Sequence, residues 1–407
     1  MTRKTLGVFG AAGLLALAAI APVSAQAPED PLGVVTIPPG EPIVIAGWGV
    51  NSGADASLGT DWMNSMKVVA DDRGEELLGH PLELVFEDGL CTPEGGATAA
   101  QKLAADPTIV GLIGSACSDE TVGGIAAITN AGLSTISPSN TRPALTAADR
   151  GPEFAGYLRT AHNDLVQGAF VADFAYNTLG AKTAATIHDG SAYAEALQQV
   201  FQDNFIAAGG QVVTVQAVQK GQTDMKPVLT VIANAPAPDV IYLPIFTAEG
   251  AFVIAQSKEV AGLENTALIG SDGMFSQDMV NGAGPAAVGV YLSSPAVTGD
   301  AYAEFLAKYE EINGVRPPQA FHAHGADAMN ILLNAIEQVA VQGDDGTLYV
   351  PKGALRDALY ATEGYEGLTG TVTCGDTGDC GAGAIGAYVI TEDTVNGTWP
   401  PPLYTGE

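Results

Sequence analysis

Positive charge is scarce in this chain: Lys and Arg number 16 against 46 Asp and Glu in 407 residues, a formal net charge of -30. A surface of that sign repels phosphates, which excludes nucleic acid as a natural partner. The acidity itself reads as a solubility feature, suited to a salty medium, and not as specific capture of cations. Histidines number five and cysteines four. His322-Ala323-His324 cannot set both imidazoles on one helical face, so this pair makes no metal site. There is no G-x-S-x-G elbow, and no cysteine is left as a nucleophile if all four are bridged. Gly47-Trp48-Gly49-Val50-Asn51-Ser52-Gly53 follows a strand as a dinucleotide loop would, but its third glycine comes one residue late. No cofactor is expected, and the chain does not read as an enzyme.

Long apolar runs are equally few. The one stretch of that kind, Leu6 to Ile20, lies behind Arg3 and Lys4 and ahead of Val23-Ser24-Ala25, the order of an export signal spanning residues 1–25. A membrane anchor is the alternative, but the stretch is rich in Ala and Gly, is broken by Pro22 and has no later partner of spanning length. No cysteine adjoins the cleavage site, so a lipid anchor is not indicated. The expected location is periplasmic or extracellular. Exported cysteines pair more often than they stay free, and the spacing here suggests two local bridges. Cys91 and Cys117 each follow a predicted strand, at one end of a single parallel sheet. Cys374 and Cys380 flank a tight turn of sequence Gly-Asp-Thr-Gly-Asp, with no histidine near to make it a zinc site.

What is abundant is alternation. Residues 26–42, with five prolines, read as a tether. From Ile43 onward short apolar strands alternate with helical patterns: Ile43 to Ala46, Leu82 to Phe86, Ile109 to Ile113 and Leu133 to Ile136 form one series. A second follows Arg159: Ala184 to Ile187, Val212 to Val215, Val240 to Leu243 and Ala267 to Ile269. Two βα series predict an α/β protein of two Rossmann-like parallel-sheet lobes. The division expected is 43–159 plus 293–367 for the first lobe, 160–292 plus 368–396 for the second, and a tail over 397–407.

In open parallel sheets, ligands sit at the carboxyl ends of the strands. There the first lobe offers Gly114-Ser115-Ala116-Cys117-Ser118-Asp119-Glu120 and Ser137-Pro138-Ser139-Asn140-Thr141, with hydroxyls and N–H groups suited to a carboxylate. Ordinary helix capping explains either segment taken alone. The second lobe offers His188-Asp189-Gly190-Ser191-Ala192-Tyr193, Phe246 and Ser271-Asp272-Gly273. An aromatic pair with one carboxylate makes a wall for a ligand with an apolar body and an ammonium group.

These segments, with Ser52-Gly53-Ala54-Asp55-Ala56-Ser57-Leu58-Gly59, Glu87-Asp88-Gly89-Leu90-Cys91 and Leu158-Arg159-Thr160, occur in an order that resembles the branched-chain amino-acid type of periplasmic binding protein, with its type I periplasmic-binding fold. The likeness covers nearly all of residues 43–390. It implies a substrate-binding component of an ABC transporter that takes up an amino acid or related small polar metabolite, acts as a monomer and meets a membrane permease. A ligand-sensing module presenting its closed form to a receptor is the alternative. The Cys91 and Cys117 positions also look like the family's disulfide. In leucine/isoleucine/valine-binding members, the ligand carboxylate is held by a Ser and a Thr that match Ser118 and Thr141. The ammonium is held by an acid matching Asp272, helped by a Tyr matching Tyr193 and by the loop matching Ser139 and Asn140. Phe246 falls where those members carry Tyr, Leu58 replaces an aromatic, Ser139-Asn140 replaces small alanines, and the acid at 272 is shorter. These departures bear on the ligand, not on the fold.

Overall fold

The computed structural model describes residues 1–2, 27–381 and 384–406, so the expected export signal lies outside the described residues. The chain forms two six-stranded sheets, one per lobe. In the first lobe the order is Glu76–Leu77, His80–Asp88, Ile43–Gly49, Ile109–Gly114, Thr135–Ser137, Tyr157–Arg159, parallel except for the Glu76–Leu77 edge. In the second it is Ile385–Val389, Tyr291–Pro295, Ala267–Gly270, Val240–Leu243, Thr183–His188, Gln211–Ala217, parallel except for the Ile385–Val389 edge. Central strands bury both faces, which is why Ile43–Gly49 reads as an unbroken apolar run and has no exposed residue. The helices that cover the sheets bury one stripe each: Leu58, Trp62, Met66 and Val69 recur at helical spacing on Ala56–Asp72.

Both sheets start in the middle. The first parallel strand of each lobe lies between the second and the third, which places a topological switch point at the carboxyl end of each. Those two ends face each other across one crevice, and the loops that follow the strands supply its walls.

Four boundaries differ from the sequence reading. Residues 26–42 are not a free tether: Val34–Ile37 pairs antiparallel with Leu348–Pro351, burying Val35 and Ile37. Prolines flank this strand instead of interrupting it, so its N–H groups stay available for the ladder. The expected tail also packs, since Trp399 is buried and donates its indole N–H to the Pro317 carbonyl, while Leu403 bridges to Tyr388. The 365–372 hairpin sits on the first lobe, because the buried Asp327 of the His322–Val339 helix accepts from the N–H groups of Leu368 and Thr369. All of Tyr291–Pro295 belongs to the second sheet, which moves that crossing past residue 293.

Both disulfides form, Cys91–Cys117 with Cα atoms 5.2 Å apart and Cys374–Cys380 at 3.8 Å. The first closes a 26-residue separation and contributes on the order of 3 to 4 kcal/mol in the chain-entropy account. The second staples a turn that docks at the lobe crossing. There the buried Arg159 guanidinium bonds Asp379 at 2.8 Å, the Thr146 hydroxyl and the Arg142 carbonyl. Burial works against the charge of Asp379, but Arg159, Asn163 and Thr146 together hold its carboxyl below the usual range.

Candidate functional site

The first-lobe wall is built on a buried acid that faces away from the crevice. Glu120 accepts from the N–H groups of Cys91, Ala116 and Cys117 at 2.9, 3.0 and 2.8 Å, bracing both ends of the disulfide loop from inside. Burial pushes its carboxyl up to about 7. Those N–H groups are therefore occupied, which leaves the start of the Ser118–Asn130 helix and the Ser118 hydroxyl for the crevice. Cys117, not Ser118, precedes the helix as its cap residue, so ordinary N-capping does not account for Ser118. Its Oγ accepts only a long bond, 3.4 Å, from Arg142 N–H. Ser139 donates to the Ala116 carbonyl at 2.8 Å and so ties the two loops together. Asn140 is used within the lobe: its amide bonds the Ser115 carbonyl, and its Oδ1 accepts from Thr121 at 2.6 Å. It braces the wall and does not line the cavity.

The second-lobe wall is charged. The Asp272 carboxylate is buried and accepts from the Tyr193 hydroxyl at 2.6 Å, a bond between two loops that follow different strands. The Tyr193 oxygen also lies 2.8 Å from the Ser271 hydroxyl, and its ring packs on Phe246 with centroids 5.2 Å apart. Gly273 is required here by close approach: a Cβ would lie 2.8 Å from the Ile245 carbonyl and 3.3 Å from the Tyr193 hydroxyl. Beside Asp272 stands Asp164, the first residue of the Asp164–Asp173 helix, wholly buried. Among the described residues neither of its oxygens has a hydrogen-bond partner. The Thr141 hydroxyl stands close enough to ease its charge without meeting hydrogen-bond geometry. Burial and then the Asp272 charge push the Asp164 carboxyl well above the usual range. His162 completes the group: Nε2 pairs with Gln167 at 2.7 Å, Nδ1 has no partner among the described residues, and burial lowers its basicity. One ligand atom from each of His162, Asp164 and Asp272 lies within 4.8 Å of the others, an arrangement open to a metal cation or an ammonium group.

At the rim the lobes touch. Asp119 of the first lobe accepts from Ala192 N–H of the second at 3.1 Å through both oxygens. Lys220 of the second reaches Asp55 at 3.3 Å and the Cys91 carbonyl at 3.1 Å in the first. The cleft is closed in this conformation. The cavity between the walls, lined by Leu58, Ser118, Ser139, Tyr193, Phe246 and Asp272, holds about 10 Å³, roughly one water. A larger cavity of about 480 Å³ lies on another face among Phe275, Tyr302, Tyr388 and Trp399. It is mostly apolar, and the charged groups beside it, Arg316 and Glu310, pair with each other at 3.3 Å. Polar groups from both lobes, Ser118, Ser139, Tyr193 and Asp272, converge at the smaller one.

Six of the eight candidate residues therefore line one cavity: Leu58, Ser118, Ser139, Tyr193, Phe246 and Asp272. Thr141 stands behind it beside Asp164. His162 and Asp164 were missed. The signal available for them was Ala161-His162-Asn163-Asp164, directly after Leu158-Arg159-Thr160, since a strand of the first sheet ends at Arg159 and its following loop must also reach the crevice.

The chain belongs to the periplasmic binding protein family, whose sequence profile matches residues 42–392. An amino acid binding protein of Pseudomonas aeruginosa is 27% identical over 244 residues, covering 60% of this chain and 63% of that protein, which is less than two thirds of its length. A Leu/Ile/Val-binding protein of Escherichia coli K12 is 28% identical over 259 residues, 63% of this chain and 68% of that one. A Leu/Ile/Val-binding protein homolog of Brucella melitensis is 26% identical over 308 residues, 74% and 78%. The crystal structure of a leucine binding protein from Thermotoga maritima superposes with a TM-score of 0.75 at 23% identity, covering 86% of this chain and 96% of that chain. A Rhodopseudomonas palustris solute binding protein in complex with benzoate does so at 0.74 and 20%, covering 86% and 94%. The two structures share the fold. The family is one of periplasmic binding proteins and not of enzymes, and it acts outside the cytoplasm.

Proposed function

We propose that the crevice takes a small amino acid, read as a zwitterion, and that the closed form delivers it to an ABC permease. The observation that carries this reading is the opposition of the two walls. The first lobe presents a hydroxyl and a helix start, which suit a carboxylate. The second presents Asp272, which suits an ammonium group, with the buried Asp164 beside it. Leu58, Tyr193 and Phe246 enclose the space between with apolar surface. A ligand that is an anion without a cationic group, such as benzoate, leaves the buried Asp272 without a cation and is disfavoured.

Closure follows from differential contact. An amino acid touching both walls binds the closed form more tightly than the open one and shifts the population by that difference. Hinge closure of this kind is a known behaviour of periplasmic binding proteins. The Asp119–Ala192 and Lys220–Asp55 contacts, present only when the rims meet, make the closed form a distinct surface for the permease. Thermal-shift measurements across amino acids, their amides and benzoate test the reading. A ligand at 100 times its dissociation constant adds about 2.7 kcal/mol of stability. Stabilisation by an aliphatic amino acid and not by benzoate is expected. Stabilisation by benzoate alone overturns it.

A further inference from the structure

We infer that Arg159 and Asp379, which lie outside the cavity, are positioning residues of the site: the stapled Cys374–Cys380 turn holds Asp379, Asp379 holds the Arg159 guanidinium, and Arg159 holds the loop that carries Ser139 and Thr141. The inference rests on the amino-acid reading for the ligand that would feel it, while the chain of contacts is independent of that reading.

Arg159 has no exposed surface, and each of its side-chain N–H donors has an acceptor. Nε reaches Asp379 Oδ1 at 3.2 Å and Nη2 reaches Oδ2 at 2.8 Å, the two-pronged geometry that fixes a guanidinium in orientation as well as in place. Nη2 also donates to the Thr146 hydroxyl at 2.6 Å. Nη1 spends its donors on main-chain carbonyls of one loop, Asn140 at 3.3 Å and Arg142 at 2.9 Å. Those carbonyls flank Thr141, whose own carbonyl accepts from the Asp164 N–H at 2.9 Å. A loop pinned at successive carbonyls has little backbone freedom left, so the place of the Thr141 hydroxyl follows from the place of the guanidinium. That hydroxyl is buried and has no hydrogen-bond partner among the described residues.

Asp379 is itself held from several sides. Thr146 and Asn163 donate to its Oδ2 at 2.9 and 3.0 Å. Its turn extends the edge of the first sheet: the Arg159 N–H donates to the Gly378 carbonyl at 2.9 Å, and the Cys380 N–H to the Arg159 carbonyl at 3.0 Å. Gly378 is required by close approach, since a Cβ would lie 2.5 Å from the Tyr157 carbonyl. Neither Arg159 nor any residue of the turn lines the cavity. Their effect on binding is therefore one of placement. Without the Asp379 charge a buried cation keeps only neutral acceptors, a costly state that is relieved by moving the guanidinium toward water and releasing the loop.

The test uses the full-length protein with Asp379→Asn, which keeps the volume and removes the charge. Calorimetry is done with L-leucine and with L-leucinamide, below the variant's own unfolding transition, and amide exchange of residues 139–142 and of Asp164 is followed without ligand. Leucine is expected to bind about 3- to 30-fold less tightly, while leucinamide, which has no carboxylate for Thr141 to meet, loses much less, and exchange in the loop is expected to be faster. Cys374→Ser with Cys380→Ser leaves every partner of Arg159 in place and frees only the turn; it should give the same pattern at smaller size, and it carries the test if Asp379→Asn does not fold. A folded variant that keeps the parent's affinity for leucine overturns the positioning role, even if its stability has fallen, because lost stability alone is what a merely structural ion pair gives. Equal losses for leucine and leucinamide overturn it as well. A parent that binds no leucine overturns the amino-acid reading instead, and the exchange measurement then decides: faster exchange in the variant supports the role of Arg159 and Asp379 in holding the loop, and unchanged exchange removes it.

Discussion

The two lobes share one strand order and present opposite chemistry. In each, the segments after the first, third and fourth parallel strands reach the crevice, contributing Leu58, Ser118 and Ser139 on one side and Tyr193, Phe246 and Asp272 on the other. The first lobe keeps its acid behind the wall, where Glu120 uses its charge on three backbone N–H groups. The second turns Asp272 toward the crevice, and Asp164 beside it has no hydrogen-bond partner among the described residues. A carboxylate surrounded by N–H donors is a structural brace, and one without them is an unmet demand for a cation. The same fold thus makes a wall for an anion and a wall for a cation, according to where the local hydrogen-bond donors are spent.

The comparison breaks first at the anion wall. Ser118→Ala with Thr141→Val removes two hydroxyls, and hydrogen bonds to a charged group are worth about 1.5 to 3 kcal/mol each. If both hold the ligand carboxylate, calorimetry with L-leucine shows a loss of about 3 to 6 kcal/mol with little change in fold stability. Thr141 stands beside Asp164, so the single variants sharpen the picture. Loss confined to Ser118→Ala places the carboxylate on the helix start alone, and unchanged affinity in the double variant removes the first wall from the binding account.

The cation wall should give a smaller and more selective effect. Asp272→Asn keeps the volume and can still accept from Tyr193, so what changes is the charge. We expect leucine to lose about 2 to 3 kcal/mol, and a neutral amide analogue to lose far less. Equal losses for both ligands would show Asp272 acting through the shape of the Tyr193–Phe246 wall and not through its charge.

How much of this was legible in the sequence follows the same division. Strand periodicity and the positions of Ser118, Ser139, Tyr193, Phe246 and Asp272 after strands were readable, because in a parallel sheet the carboxyl end of a strand fixes where its loop goes. Both disulfides were readable for the same reason, with their cysteines at neighbouring strand ends or around one turn. What the pattern did not show was partnership. Nothing local distinguishes Glu120, which is satisfied, from Asp164, which is not, since the donors around Glu120 come from Cys91 and the 116–117 loop, and Asp164 meets Asp272 from more than 100 residues away. The Val34–Ile37 strand was hidden among prolines, and its partner Leu348–Pro351 lies near the other end of the chain. The crossing points were misplaced where Asp327 captures the 365–372 hairpin, again a long-range hydrogen bond.

The smallest effect is expected at the rim, where the contrast between the walls gives way to a direct bond between lobes. Lys220 extends from the second lobe to the buried Asp55 at 3.3 Å and to the Cys91 carbonyl at 3.1 Å, with its ammonium 5.7 Å from the Phe246 ring centroid. It is the one cation that spans the cleft mouth among the described ion pairs. The Lys220 side chain is 41% exposed, so water and salt screen the pair, and pairs of that kind contribute about 0.2 to 1 kcal/mol. The contact exists only when the rims meet, so its whole contribution falls on the closed form. Lys220→Met keeps the apolar stem over Phe246 and removes the charge. It should weaken leucine binding by about 0.5 to 1 kcal/mol, chiefly through faster release, and the difference from the parent should shrink as salt is raised. A loss that salt does not touch would mean that the ammonium acts through its short-range bonds to Asp55 and the Cys91 carbonyl and not through a screened charge at the rim.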